Sequence, residues 1–273
     1  MTGTSEWAGR VGGKWAQEWR RTDRSFGELT DRLLDSWTIG HFEHALDIGC
    51  GAGEIALALA AHDSDASVTG VDISADLLAV ARQRGAACDN LLFHQADASK
   101  WQPRGVAPDL LISRHGVMFF DDPTAAFHHL RTIATPNARL RFSCFRERAA
   151  NEWVTLLQSA LPSPPSPPDP KAPGPFAFGD QDRIRSILDN AGWSGIFIEP
   201  LDYAMIAGEG NAAVEEALAY FLQIGPAAGA LADLFGAERE RAVAALRSML
   251  ERHHTGERVA LPAAAWIVTA RAG

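Results

Sequence analysis

The chain has 273 residues, with 25 Lys and Arg against 34 Asp and Glu, for a formal net charge of −9. That balance excludes the basic surface of a general nucleic-acid binder. No stretch reaches the roughly 20 apolar residues that span a bilayer, and the start lacks the basic-then-apolar pattern of a signal peptide. Cys50, Cys88 and Cys144 are odd in number and widely spaced, which suits a reduced, cytoplasmic compartment better than a disulfide scaffold.

Residues 1–40 read as a helical cap rich in aromatic side chains: Trp7, Trp15, Trp19, Phe26 and Trp37. Trp15 and Trp19, four apart, share a helix face. They either pack against the body of the protein or form a lid over a pocket.

From residue 41 onward the chain reads as one domain, and the period changes. A short strand, His44 to Gly49, runs into glycines, and a helix follows over Glu54 to Ala61. Ser67 to Asp72 is a second strand, and Ser74 caps the next helix. Asn90 to Gln95 and Asp109 to Ser113 are the third and fourth strands. The fourth is nearly all apolar, as a strand covered on both faces requires. Asp122 and Pro123 open another helix, and Arg139 to Phe145 is the fifth strand. Alternating strand and helix predict a doubly wound, Rossmann-like α/β sheet.

The second half is less regular. Residues 162–175 form a proline-rich, exposed connector. A helix capped by Asp180 ends at Gly192. Gly195 to Glu199 reads as a sixth strand and Ala265 to Ala270 as a seventh. Between them lies a helical insertion, assigned to residues 203–260.

The chemistry concentrates in LDIGCGAGEIALALA, residues 46–60. Gly49, Gly51 and Gly53 lie between a strand and a helix, where the backbone turns tightly and approaches a ligand without Cβ collisions. The dinucleotide fingerprint is G-x-G-x-x-G; here the third glycine comes one residue early. Asp47 and Glu54 put negative charge beside the loop, which opposes a pyrophosphate and suits a ligand carrying an ammonium and a sulfonium. Asp72, ending the second strand, is placed to take both hydroxyls of a ribose. Asp97 and Ala98, after the third strand, are placed to read an adenine. Each of these also has a plain structural reading as a turn residue.

These segments resemble the class I S-adenosylmethionine (SAM)-dependent methyltransferases. LDIGCGAG is similar to the family's first motif, VTGVDIS to the second, QADA to the third and SRHGVMFFDDP to the segment after strand four. The likeness is closest to the quinone-biosynthesis C-methyltransferase-like branch. It implies a seven-stranded sheet with an antiparallel last strand. It further implies that Asp47 and the Gly49, Cys50, Gly51 and Gly53 loop hold the methionine end of SAM. Asp72 would hold the ribose, Ile73 would pack on the adenine, Asp97 and Ala98 would read it, and Ser113 would lie near the methionine moiety. One departure is the turn before strand five, Pro136-Asn137-Ala138 where many members have Pro-Gly-Gly.

The expected activity is direct displacement of the sulfonium methyl onto a small-molecule acceptor. His115, after strand four, is the candidate base, with a packing role as its alternative. Trp15, Met118, Phe119 and Trp153 are candidate acceptor contacts, with core or lid packing the alternative for each. No metal motif is present. A protein, peptide or RNA acceptor, a non-catalytic SAM-binding role and a nicotinamide-dependent oxidoreductase are the competing functions. The late helices either cover the sheet or form a homodimer.

Overall fold

The computed structural model describes residues 4–35, 39–163 and 166–273. Trp37 of the aromatic set, and Pro164 and Pro165 of the connector, lie outside the described residues.

Helices α1 (Thr4–Trp7), α2 (Arg10–Gln17), α3 (Trp19–Ser25) and α4 (Gly27–Leu33) open the chain. The alternating core follows: β1 (His44–Ile48), α5 (Glu54–His62), β2 (Ser67–Asp72), α6 (Ala75–Arg84), β3 (Leu91–Gln95), β4 (Leu110–Arg114), α7 (Pro123–Ile133) and β5 (Arg139–Phe145). Then come α8 (Glu152–Ser159), α9 (Gln181–Asn190), β6 (Trp193–Glu209), α10 (Ala213–Phe221), α11 (Pro226–Ala232), α12 (Gly236–Arg252), β7 (His254–Thr255) and β8 (Arg258–Ala272). The strands form one sheet in the order β3-β2-β1-β4-β5-β8-β6, with β7 paired to β8.

Strands β1 to β5 pair in parallel, and β8 runs antiparallel between β5 and β6. Strand order reverses between β1 and β4. The crevice at the C-terminal ends of these strands is where doubly wound sheets bind ligands. β4 and β5 are buried along almost their whole length, as the apolar runs predict. Helix starts follow local chemistry: Ser74 Oγ accepts from Leu77 N (3.4 Å) and Asp122 Oδ1 from Ala125 N (2.9 Å). Asn137, in the altered turn, adopts φ +63°, the left-handed conformation that asparagine tolerates.

Three expectations need correction. The sheet has eight strands, because the short β7 hairpins onto β8. The sixth and last strands are far longer than expected, at 17 and 15 residues. Residues 203–209 and 258–260 are therefore strand, and the helices of the assigned 203–260 insertion occupy only 213–252. The cause is a two-stranded ribbon: β5 pairs with β8 only from Ala265 to Arg271, whereas β6 pairs on to Arg258. Pro262 falls on β8 between its pairings with β5 and with β7, and Pro200 sits on the sheet-edge strand β6.

Candidate active site

A cavity of about 1040 Å³ lies over the C-terminal ends of β1, β2 and β4. That exceeds the usual 300–1,000 Å³ range for small-molecule pockets. Its floor is the glycine turn. Gly49 and Gly51 have φ of +65° and +53°, and both line the cavity with Cys50. A Cβ on Gly49 would lie 2.9 Å from the Gly116 Cα, whereas one on Gly51 would meet nothing within 4 Å. Gly49 thus lets two loops cross, and Gly51 leaves open space. Gly53 does neither. It does not line the cavity, and its Cβ would press on Ala81 and Phe93 at 3.0 Å. Its role is close packing of α5 against its neighbours.

Three carboxylates face the cavity from successive strand ends. Asp47 is 1% exposed. Its Oδ2 accepts from Ala56 N at 3.1 Å, and Oδ1 has no partner. Burial pushes its carboxyl up to about 7, against a smaller opposing pull from Arg114. Asp72 accepts from Gly51 N and Ser74 N, both at 2.8 Å. Burial raises its carboxyl, and those amides only partly offset the effect. Asp97 differs. Burial pushes it up, but hydrogen bonds from Ser99, and then Lys100, outweigh that and hold it below its ordinary value. Ile73 and Ala98 also line the cavity.

Ser113 does not line it. Its Oγ donates to Ile48 O (2.6 Å) and accepts from Gly116 N (3.1 Å), so the hydroxyl ties the loop after β4 to the glycine turn. His115 follows at φ +64°, 8% exposed. It stacks on Phe145 at 4.1 Å and meets Phe26 edge-on at 5.2 Å. Neither ring nitrogen has a partner. Burial, with Arg114 adding to it, pushes its pKa down to about 3, so the imidazole is neutral.

The remaining candidates all line the cavity. Trp15 packs on Trp7 (5.5 Å), which meets the Phe119 ring edge-on (5.0 Å). Met118 Sδ accepts from Phe145 N at 3.4 Å. Trp153 donates through Nε1 to Asn151 Oδ1 at 3.0 Å.

Residues 45–137 match the family model described as a methyltransferase domain. The chain has the class I SAM-dependent methyltransferase fold. It is 32% identical over 147 residues to the trans-aconitate 2-methyltransferase of Paracidovorax citrulli, covering 54% of this chain and 55% of that protein. The chain thus spans about half the length of that curated relative. Among solved structures it is similar to the YcgJ protein of Bacillus subtilis (TM-score 0.56, 15% identity, 90% of this chain and 97% of that one). It is also similar to a Haemonchus contortus phosphoethanolamine N-methyltransferase 2 in complex with SAM (TM-score 0.54, 16% identity, 96% and 57%).

The Haemonchus contortus enzyme of the same fold is a complex with SAM. The residues of this chain fit SAM: the open space above Gly51 admits a ligand, and the unpartnered Oδ1 of Asp47 suits a cation. Among the described residues no group of three or more His, Cys, Asp or Glu could hold a metal, and no helix is long and apolar enough to cross a membrane.

Sequence reasoning missed the network of ion pairs beside the cavity. Arg114 pairs with Glu54 and with Asp23 (3.3 Å), and Asp23 also pairs with Arg84 (2.9 Å). Arg84 lies over the Trp19 ring at 4.0 Å. Helix α3 further joins α10: Arg21 reaches Glu216 at 3.0 Å through both Nε and NH2. Helix α2 docks on the turn before α6, where a Cβ on Gly12 would lie 2.2 Å from Ser74 Oγ. The only signal for any of this was the charge interspersed among the N-terminal aromatics.

Proposed function

We propose that the protein transfers the methyl group of SAM to a small-molecule acceptor by direct displacement. The observation that carries this reading is the pair of buried carboxylates at the glycine turn. Asp47 has an unpartnered oxygen and a carboxyl pushed up to about 7 by burial, and Asp72 is raised in the same direction. Such a site gains from a positive ligand and is opposed by a pyrophosphate, since like charges disfavour each other's ionised forms.

When bound, SAM supplies an electrophilic methyl group on a sulfonium. Asp47, Gly49, Cys50 and Gly51 hold its methionine end, and Asp72 takes the ribose hydroxyls. Ile73, Asp97 and Ala98 enclose the adenine. Ser113 and Gly53 act indirectly, by fixing the loops. Helices α1 to α3 serve as the lid: ion pairs from α3 to Arg84, Arg114 and Glu216 hold it to both sides of the cavity, and it excludes water from the reacting centre.

Trp15, Met118, Phe119 and Trp153 form the acceptor walls. His115 places a buried, neutral imidazole behind the acceptor walls. A proton acceptor held near pKa 3 is a weak base, so it suits an acceptor that is already acidic, or positions the nucleophile by a hydrogen bond. The carboxylic acid named in the curated relative favours such an acceptor over the carbon centre of a quinone precursor.

The test is incubation with methyl-tritiated SAM and a panel of carboxylic acids, phenols and amines, with the label followed by extraction and precipitation. Label in an extractable small molecule supports the reading. Label confined to protein or RNA, or no transfer by protein that binds the cofactor, contradicts it.

A further inference from the structure

The cavity wall carries an ordered strip of rings with a polar group at each end. His115 marks one end, beside the glycine turn, with both ring nitrogens unpartnered. Its ring stacks on Phe145 at 4.1 Å, Phe145 meets Phe176 at 5.9 Å, and the Arg148 guanidinium lies 5.7 Å from the Phe176 ring. Arg148 marks the far end and also lines the cavity.

Arg148 stands in contrast to Arg114, which also lines the cavity. Arg114 is neutralised by Asp23 and Glu54. Arg148 donates to the Gln158 side chain through Nη2 and, among the described residues, has no acidic partner. Burial pushes its guanidinium below the ordinary value with nothing opposing. Glu147 pairs with Arg146 at 3.6 Å, and Asp169 and Asp180, which also line the cavity, each accept from a backbone amide two residues on without an ion pair to Arg148. A guanidinium has five donors in a planar fork matched to carboxylates and phosphates. Held against an aromatic wall with one donor used, it is a receptor for an anion.

We infer, on the methyltransferase reading above, that the acceptor is an amphipathic anion whose carboxylate or phosphate docks on Arg148 while its flat apolar body lies along Phe145 and Phe176. The anionic group is the handle, and the methylated atom lies at the other end, near His115. The handle therefore keeps its charge through the reaction. Gln158 is a positioning residue that holds the guanidinium toward the cavity.

The test uses the full chain saturated with S-adenosylhomocysteine and reads binding by calorimetry. The probes are cinnamate, its neutral methyl ester and phenyl phosphate. At least one anion is expected to bind saturably, with the methyl ester at least about tenfold weaker than cinnamate if the handle is a carboxylate, a loss in keeping with charge-assisted hydrogen bonds. Tighter phenyl phosphate binding would assign the handle to phosphate. Arg148→Gln should remove the preference for the anion and leave S-adenosylhomocysteine affinity unchanged, which also establishes that the variant folds. Arg148→Lys should restore part of the preference. No binding of either anion to the loaded protein, or an anion preference that survives Arg148→Gln, overturns the inference. Failure of S-adenosylhomocysteine itself to bind defeats the methyltransferase reading, and this inference with it.

Discussion

The two ends of the cavity are built by different means. The glycine-turn end, proposed to hold the cofactor, is made by backbone: positive-φ glycines at 49 and 51, amides donating to Asp72, and a loop crossing at Gly116 with no room for a side chain. The other end, proposed to hold the acceptor, is made by side chains gathered from distant segments: Phe145 of β5, Trp153 of α8, Phe176 after the connector and Tyr220 of α10. A site built from backbone tolerates few substitutions. A site built from side chains can change its walls, and so its acceptor, while the sheet beneath it stays the same.

The sharpest way to break this contrast is Gly116→Val. A Cβ there would lie 2.6 Å from Ile48 O and 2.9 Å from Ser113 Oγ. Overpacking of this kind should cost about 3 kcal/mol, read as a lowered denaturant midpoint together with lost S-adenosylhomocysteine binding. Retained stability and binding would mean that the loops are not locked.

Next is the acid response of His115. Its folded-state pKa, about 3, lies below its ordinary value of 6.5, so between those limits the unfolded chain takes up a proton that the folded chain refuses. Stability therefore falls as pH drops from 6.5 toward 3, with a slope of up to about 1.4 kcal/mol per pH unit from this group. His115→Phe keeps a ring beside Phe145 and should flatten that part of the profile in urea titrations between pH 6.5 and 4. An unchanged slope would show that the imidazole is not held neutral by burial.

Asn151→Ala probes the acceptor end alone. Its side chain donates to Arg146 O and Glu147 O and accepts from Trp153 Nε1 and Ala264 N. Removing it should cost about 1–3 kcal/mol by leaving buried groups unpaired, with cofactor affinity unchanged once the protein is folded. Loss of cofactor binding by the folded variant would mean the two ends are coupled. The smallest effect is expected from Glu216→Gln, which weakens the clasp from Arg21 and Arg24. Partly exposed pairs of this kind contribute about 0.2–1 kcal/mol, detectable as faster proteolysis within residues 4–35.

The same contrast governs what could be read from sequence. Strands β1 to β5 were legible because each is a compact apolar run closed by a turn residue, and Asp47, Asp72 and Asp97 because they stand where those runs end. β6 and β8 were only half legible. Past β5 they leave the sheet as a ribbon whose exposed positions and prolines mask the period. Ser113 and Gly53 were expected at the cofactor, but neither lines the cavity; they pin loops, which depends on Ile48 O, Gly116, Ala81 and Phe93 being near. Arg114, Asp23, Asn151 and Arg148 carried no local signal, since each acquires its role from partners brought together by the fold.

The most direct test of the central claim is calorimetric titration with S-adenosylhomocysteine at pH 6 and pH 8, with NADH as the comparison ligand. Burial pushes the Asp47 carboxyl up to about 7, so it is largely protonated at pH 6 and ionised at pH 8. A ligand ammonium beside it should bind several-fold more tightly at the higher pH. Asp72→Ala should weaken binding at both. Saturable binding of S-adenosylhomocysteine with that pH dependence, and little binding of NADH, is the predicted result. Tight NADH binding with no affinity for S-adenosylhomocysteine would contradict the account.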